Sequence, residues 1–177
     1  GATFGSNIMG TGILPASSAC SRIEIAMAPS DPNYIYLCVA AANETLKGVY
    51  KSTDAGATWT AIGLGGSAVF NPLGNQGAYD IAFAVHPSNK DMVYLGGQLD
   101  LYRYTPASGW TTIAFWQGNT GKLVHADMHC ISFDPTNPET MYLTTDGGMY
   151  RCMNSSDASP VFTEKNKNYS VTQCYGI

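Results

Sequence analysis

Charge is what this sequence has least of. Asp, Glu, Lys and Arg make up 12% of its 177 residues, against about 25% in an average globular protein. The nine Lys and Arg are scattered and the formal net charge is -4. That argues against a nucleic-acid groove, where clustered positive charge must displace counterions from phosphates. No apolar run approaches the roughly eighteen residues that a membrane-spanning helix needs, so no membrane span is expected. The opening Gly1-Ala2-Thr3-Phe4-Gly5 lacks the basic and apolar regions of a signal peptide and reads as a processed or engineered end. The five cysteines, Cys20, Cys38, Cys130, Cys152 and Cys174, are odd in number and contain no Cys-x-x-Cys spacing, which argues against structural zinc and leaves at least one thiol unpaired. Cys38 in Tyr34-Ile35-Tyr36-Leu37-Cys38-Val39 and Cys130 before Ile131-Ser132-Phe133 read as buried apolar thiols in strands. No linker is visible, so the chain reads as one domain with a sizeable core. No motif calls for a cofactor.

What is plentiful is Gly, Tyr and small polar residues, the composition of a soluble all-β protein. One phrase occurs three times: Ile25-Ala26-Met27-Ala28-Pro29-Ser30-Asp31-Pro32-Asn33, Ala82-Phe83-Ala84-Val85-His86-Pro87-Ser88-Asn89-Lys90 and Ile131-Ser132-Phe133-Asp134-Pro135-Thr136-Asn137-Pro138-Glu139. Each is a strand entering a Pro turn. Further β-favouring runs follow each turn: Tyr34 to Val39, Gly48 to Lys51 and Trp59 to Ile62, then Met92 to Leu95, Leu101 to Tyr104 and Trp110 to Ile113, then Met141 to Thr144, Met149 to Cys152 and Val161 to Thr163. Four strands per unit predict a β-propeller blade. The spacing from Pro29 to Pro87 to Pro135 is near the roughly 40 to 50 residues of blade repeats, with the first unit enlarged by the loop from Leu64 to Gly77. The expected units are 20–63, 76–114 and 125–165, with a fourth beginning at 168–177. About three and a half blades cannot close a ring of four to eight, so a longer parent or self-association is expected to complete it.

The turn between the third and fourth strands of the first unit, Ser52-x-Asp54-x-Gly56-x-Thr58-Trp59, carries its own chemistry. Asp54 can accept turn N–H groups, Gly56 permits a positive φ, Ser52 and Thr58 can tie the hairpin mouth, and Trp59 can fill a gap between packed sheets. The other two units keep this pattern in part, with Gly109-Trp110 lacking the Asp and Asp157 lacking the Gly and Trp. Asp54 is therefore expected to be a structural turn residue.

At every defined position that run resembles the Asp box of sialidase-like β-propellers, also called BNR-repeat proteins. Gln76-Gly77-Ala78-Tyr79-Asp80-Ile81, Val124-His125-Ala126-Asp127-Met128-His129, Asp146-Gly147-Gly148-Met149-Tyr150-Arg151 and Thr172-Gln173-Cys174-Tyr175 extend the resemblance, over nearly all of 20–177, to a group of secreted bacterial propellers that includes glycosyl-hydrolase-like members. The resemblance implies a secreted or cell-surface protein with carbohydrate or protein ligands, and a hairpin on the face away from the usual active site. True sialidases hold the substrate carboxylate with three Arg from different blades. Here Arg22, Arg103 and Arg151 are the only arginines, two of them share a third-strand slot with Lys51, and no Arg-Ile-Pro motif is present.

Chemistry is expected before the inner strands. If extended, His125-x-Asp127-x-His129 puts three polar side chains on one face, able to close the propeller centre, to bind a polar ligand or sugar, or to hold a transition metal. Tyr79 and Asp80 take the corresponding place in the second unit. Asp80 with Asp127 is the candidate carboxylate pair of a glycosidase, with Tyr79, His125, His129 and the loop aromatic Trp116 as substrate-binding candidates. Trp110 occupies the repeat Trp slot and reads as core. Asp146-Gly147 is a strong hairpin signal and reads as structural. Asn43, Asn154 and Asn168 begin Asn-x-Ser/Thr sequons, relevant only in a eukaryotic secretory route. The leading expectation is a sialidase-like propeller that hydrolyses or binds glycans; the alternatives are a non-catalytic protein-interaction scaffold and a metal-binding propeller module.

Overall fold

A computed structural model describes residues 6–65, 70–118 and 121–168. After a short 3-10 turn at Ser17–Ala19 come twelve strands: β1 (Cys20–Met27), β2 (Ile35–Ala41), β3 (Leu46–Ser52), β4 (Thr60–Leu64), β5 (Ala82–Val85), β6 (Val93–Gly96), β7 (Leu101–Thr105), β8 (Gly109–Ala114), β9 (Met128–Asp134), β10 (Asn137–Thr145), β11 (Gly148–Cys152) and β12 (Phe162–Glu164). They form three four-stranded sheets in the orders β1-β2-β3-β4, β5-β6-β7-β8 and β9-β10-β11-β12, every pairing antiparallel. Each sheet is a blade of a β-propeller, as the repeat predicts. The expected opening of a fourth unit, with Thr172 to Tyr175 and Cys174, lies outside the described residues.

Period-two alternation explains the stacking. In β2, Tyr36, Cys38 and Ala40 face the second sheet, while Leu37 and Val39 meet Met9 and Leu14 of the N-terminal segment. In β6, Val93 and Leu95 face the first sheet and Tyr94 the third, where it meets Met141 and Leu143 of β10. Each buried Leu, Val or Met among them stabilises the stack by about 1.5–3 kcal/mol relative to exposure. Trp110 lies between the first two sheets, its Nε1 donating to Ile62 O at 2.8 Å. Trp59 differs from its expected role: it packs on the outer face of the first sheet, against the cluster that includes Leu14 and Tyr50. Among the described residues no sheet lies there to pack between; the N-terminal segment covers that face instead.

The turn after β3 is closed by its own side chains. Asp54 Oδ1 accepts from Thr58 N and Ser52 Oγ, both at 2.8 Å, and Oδ2 accepts from Thr58 Oγ1 at 2.6 Å. Ser52 Oγ accepts from Gly56 N at 2.8 Å, and Trp59 Nε1 donates to Gly56 O at 3.0 Å. Gly56 has φ +93°. This turn and the β1–β2, β5–β6 and β9–β10 turns form the lower end of the blades. The β2–β3, β6–β7 and β10–β11 hairpins and the starts of the inner strands β1, β5 and β9 form the upper end.

Cys38 is buried, but Cys130, expected to be buried, is exposed; Cys20, Cys38, Cys130 and Cys152 are all free thiols. Alternation decides Cys130: Ile131 and Phe133 turn toward the second sheet, which leaves Cys130 on the open face of the third. Among the described residues no helix is long and apolar enough to cross a membrane.

Candidate functional site

The segment from Gln76 to Asp80, which leads from the enlarged loop toward β5, brings three polar side chains to the upper end. Gly77 N donates to Glu44 O at 2.8 Å, and a Cβ at Gly77 would stand 2.4 Å from that same oxygen, so only glycine passes beneath the β2–β3 hairpin. Tyr79 N and Asp80 N then both donate to Gln76 O at 2.8 Å. This tight turn leaves Tyr79 exposed and sends Asp80 inward with no side-chain surface in solvent. Arg22 on β1 braces it, donating from Nη1 to Tyr79 O at 2.7 Å and from Nε to Glu24 Oε1 at 2.9 Å.

The third sheet supplies the opposite wall. Asp127 has φ +58°, and β9 begins only at Met128. Thr145 pairs with Met128 but Thr144 pairs with Cys130, so His129 is the extra residue of a β-bulge, a device that re-aims a side chain. Its Nε2 lies 2.6 Å from Asp146 Oδ1 and its Nδ1 3.6 Å from Asp80 Oδ1, while the Tyr79 ring stands edge-on at 5.0 Å. Asp146, in the β10–β11 turn, donates its N–H to Asp127 O at 3.1 Å, and Gln76 Nε2 donates to Asp127 Oδ1 at 3.4 Å.

Asp80 is the electrostatic centre. Both its carboxyl oxygens are buried, and among the described residues no donor reaches them within hydrogen-bond distance. Loss of water pushes its pKa up to about 7, helped by the charge and carboxyl of Asp127 and opposed by His129. Two ionised carboxylates are both acceptors and cannot bond each other, so an ionised Asp80 gains nothing from its neighbour.

The structure brings Asp80, Asp127, His129 and Tyr79 together and leaves two candidates apart. His125 does not join Asp127 and His129 on one face, because the positive φ of Asp127 breaks the extended alternation. Its Nδ1 lies 2.9 Å from Ala126 O and its ring packs on Gly147. Trp116 lies beyond the outer strand β8, its backbone N–H donating to Asp100 Oδ1 at 3.1 Å. Among the described residues no three His, Cys, Asp or Glu side chains converge as a metal-ligand set. Sequence reasoning missed Gln76, the Arg22–Glu24 brace and, above all, Asp146, which is a hairpin residue and also the partner of His129. The only signal was the position of Asp146 at a strand end, and its value depends on a register that the residues do not spell out.

No protein-family model and no curated protein matches the chain. Solved structures do match. A GH74 enzyme from Niastella koreensis superposes with a TM-score of 0.57 at 23% identity over 78% of this chain and 22% of that one. A GH74 xyloglucanase from Xanthomonas campestris gives 0.55 at 18% identity over 81% and 23%. An ancestral GH74 enzyme gives 0.51 at 16% identity over 77% and 18%. The likeness is one of fold, and the chain spans about a fifth of the length of these structures.

Proposed function

We propose that the chain is part of a secreted or cell-surface β-propeller that hydrolyses or binds glycans, with blades at 20–63, 76–114 and 125–165 and a fourth beginning at 168–177. The observation that carries this reading is Asp80, a fully buried carboxyl with no donor beside a second carboxyl. Such a carboxyl holds its proton up to near neutral pH, which general-acid cleavage of a glycosidic bond requires. Asp127, half-buried, is the side of the pair that a substrate meets, and Asp80 behind it keeps the proton bound. Asp80 is the proton-holding carboxyl, and the charge of Asp127 beside it helps to raise its pKa. The second carboxylate is Asp146, one imidazole away and positioned by His129. Tyr79 offers an exposed ring for a sugar face, with His125 and Trp116 as outlying subsites. The likeness to GH74 folds supports a glycan ligand rather than a nucleic acid.

Sialidase chemistry in the strict sense has no support. Arg22 is engaged by Glu24, Arg103 bonds carbonyls at the lower end, and Arg151 sits mid-strand in β11, so no arginine triad gathers at the upper end. The Asp-box reading of Ser52, Asp54, Gly56, Thr58 and Trp59 assigns them to the turn alone.

The test is hydrolysis and binding of neutral oligosaccharides by the natural polypeptide. Asp80→Asn and Asp127→Asn should each slow hydrolysis by about 10²–10⁴-fold while glycan binding persists. Unchanged hydrolysis in both variants removes the acid pair, and capture of a protein with no dependence on sugar supports the scaffold.

A further inference from the structure

The lower ends of the blades carry a repeated clasp, and the third copy is open. Tyr36 of β2 pairs across the sheet with Lys51 of β3, Tyr94 of β6 with Arg103 of β7, and Tyr142 of β10 with Arg151 of β11. In the first blade Tyr36 donates its hydroxyl to Lys90 O of the second blade at 2.6 Å, and Lys51 pairs with Asp91 beside it. In the second blade Tyr94 donates to Ser155 O of the third blade at 3.0 Å, and Arg103 Nη1 donates to Ser155 O at 2.8 Å and to Asp157 O at 2.7 Å. Each blade thus grips a lower turn of the next one with a tyrosine hydroxyl and a cation. In the third blade Arg151 Nε is buried and, among the described residues, has no hydrogen-bond partner.

Alternation gives that blade a face to match. Met141, Leu143 and Ile131 point into the cluster shared with the second blade. Cys130, Ser132, Tyr142, Thr144, Met149 and Arg151 therefore point the other way, and Cys130, Ser132, Thr144 and Met149 are exposed. A buried guanidinium nitrogen without an acceptor is costly, and at the two equivalent places the neighbouring blade supplies acceptors, a carboxylate to Lys51 and carbonyls to Arg103.

We infer that Tyr142 and Arg151 are the receiving site for a further blade of the same polypeptide, which supplies backbone carbonyls or a carboxylate from a lower turn. A second copy of the chain is the poorer occupant. The face of the first blade that would have to meet the open clasp is already covered by Met9 and Leu14. The matched structures are also several times longer than this chain, which covers 18–23% of them.

Cys130 reports on the interface without mutation. In residues 1–177 its thiol is open to alkylation; in the natural polypeptide, expressed to its own stop codon, the added blade covers it and alkylation slows by about tenfold or more. Arg151→Met checks the clasp itself. It is neutral or mildly stabilising in residues 1–177 but lowers the unfolding midpoint of the natural polypeptide, as Arg103→Met does in both; if the long variant does not fold, the Cys130 rates decide. The inference is overturned by a stop codon directly after Ile177, by equal alkylation rates in the two chains, or by a dimer of residues 1–177 that Arg151→Met dissolves.

Discussion

Asp54, at the lower end of the first blade, accepts three hydrogen bonds from Ser52 and Thr58, and they hold its carboxyl down to about 2. Asp80, at the upper end of the second, has no donor within hydrogen-bond distance among the described residues, and burial pushes its carboxyl up to about 7. The two residues share a side chain and a fold, so the difference is entirely one of surroundings. At the lower end the chain spends its polar groups on itself. At the upper end it keeps a carboxyl unsatisfied, the arrangement expected where a proton is to be handled.

The largest effect should come from titrating the upper end. The folded-state pKa of Asp80 is raised, so its contribution to stability is complete below the ordinary carboxylate pKa and is lost as pH rises from about 4 through about 7. The full loss is on the order of a few kcal/mol. Asp80→Asn removes the titration. Unfolding curves at pH 4, 6 and 8 should show the variant gaining on the wild type with pH and levelling off above 8. A difference that does not change with pH would mean that Asp80 ionises normally and would break the contrast with Asp54. Asp127→Asn sharpens it, since losing the second charge moves the transition to lower pH without abolishing it, burial being the larger cause.

The two ends also differ in how far the sequence reveals them. The Ser52 to Trp59 turn is local: donors two and four residues from Asp54 can be read from the spelling, and so can the blade repeat, because a period of two and a Pro turn are local patterns. The upper site is assembled from residues far apart. Asp80 meets residues 127, 129 and 146 only after β9 and β10 take their register. The bulge at His129 then overrides the alternation that would have aligned it with His125. Cys130 was misread for the same reason: a strand pattern shows that a residue alternates, but not which face has a neighbour.

Glycines offer a middle-sized comparison. At Gly56 an added Cβ meets only Trp59, at 3.6 Å, so Gly56→Ala pays just for its φ of +93°, about 1 kcal/mol. At Gly147 the Cβ would lie 2.3 Å from the His125 ring, and the β10–β11 turn that carries Asp146 must shift. Gly147→Ala should therefore lower the unfolding midpoint more than Gly56→Ala. It should also impair any glycan chemistry, which Gly56→Ala should leave intact. Equal effects of the two on activity would detach the β10–β11 turn from the site.

The smallest effect is expected at Asp54 itself. Asn at this position keeps the Oδ1 that accepts from Thr58 N, and the Thr58 hydroxyl can rotate to accept from the new amide, so Asp54→Asn should scarcely move the unfolding midpoint at pH 7. The acid limb is where it acts. The folded pKa of Asp54 is depressed to about 2, so its contribution is present above the ordinary carboxylate pKa and is lost as pH falls from about 4 through about 2. The wild type should therefore drop below the variant over that interval, so that Asp54→Asn gains on the wild type as pH falls where Asp80→Asn gains as pH rises. Parallel acid limbs would mean that the turn holds Asp54 no more tightly as an anion than as an acid, and the lower end would lose its claim to be the satisfied one.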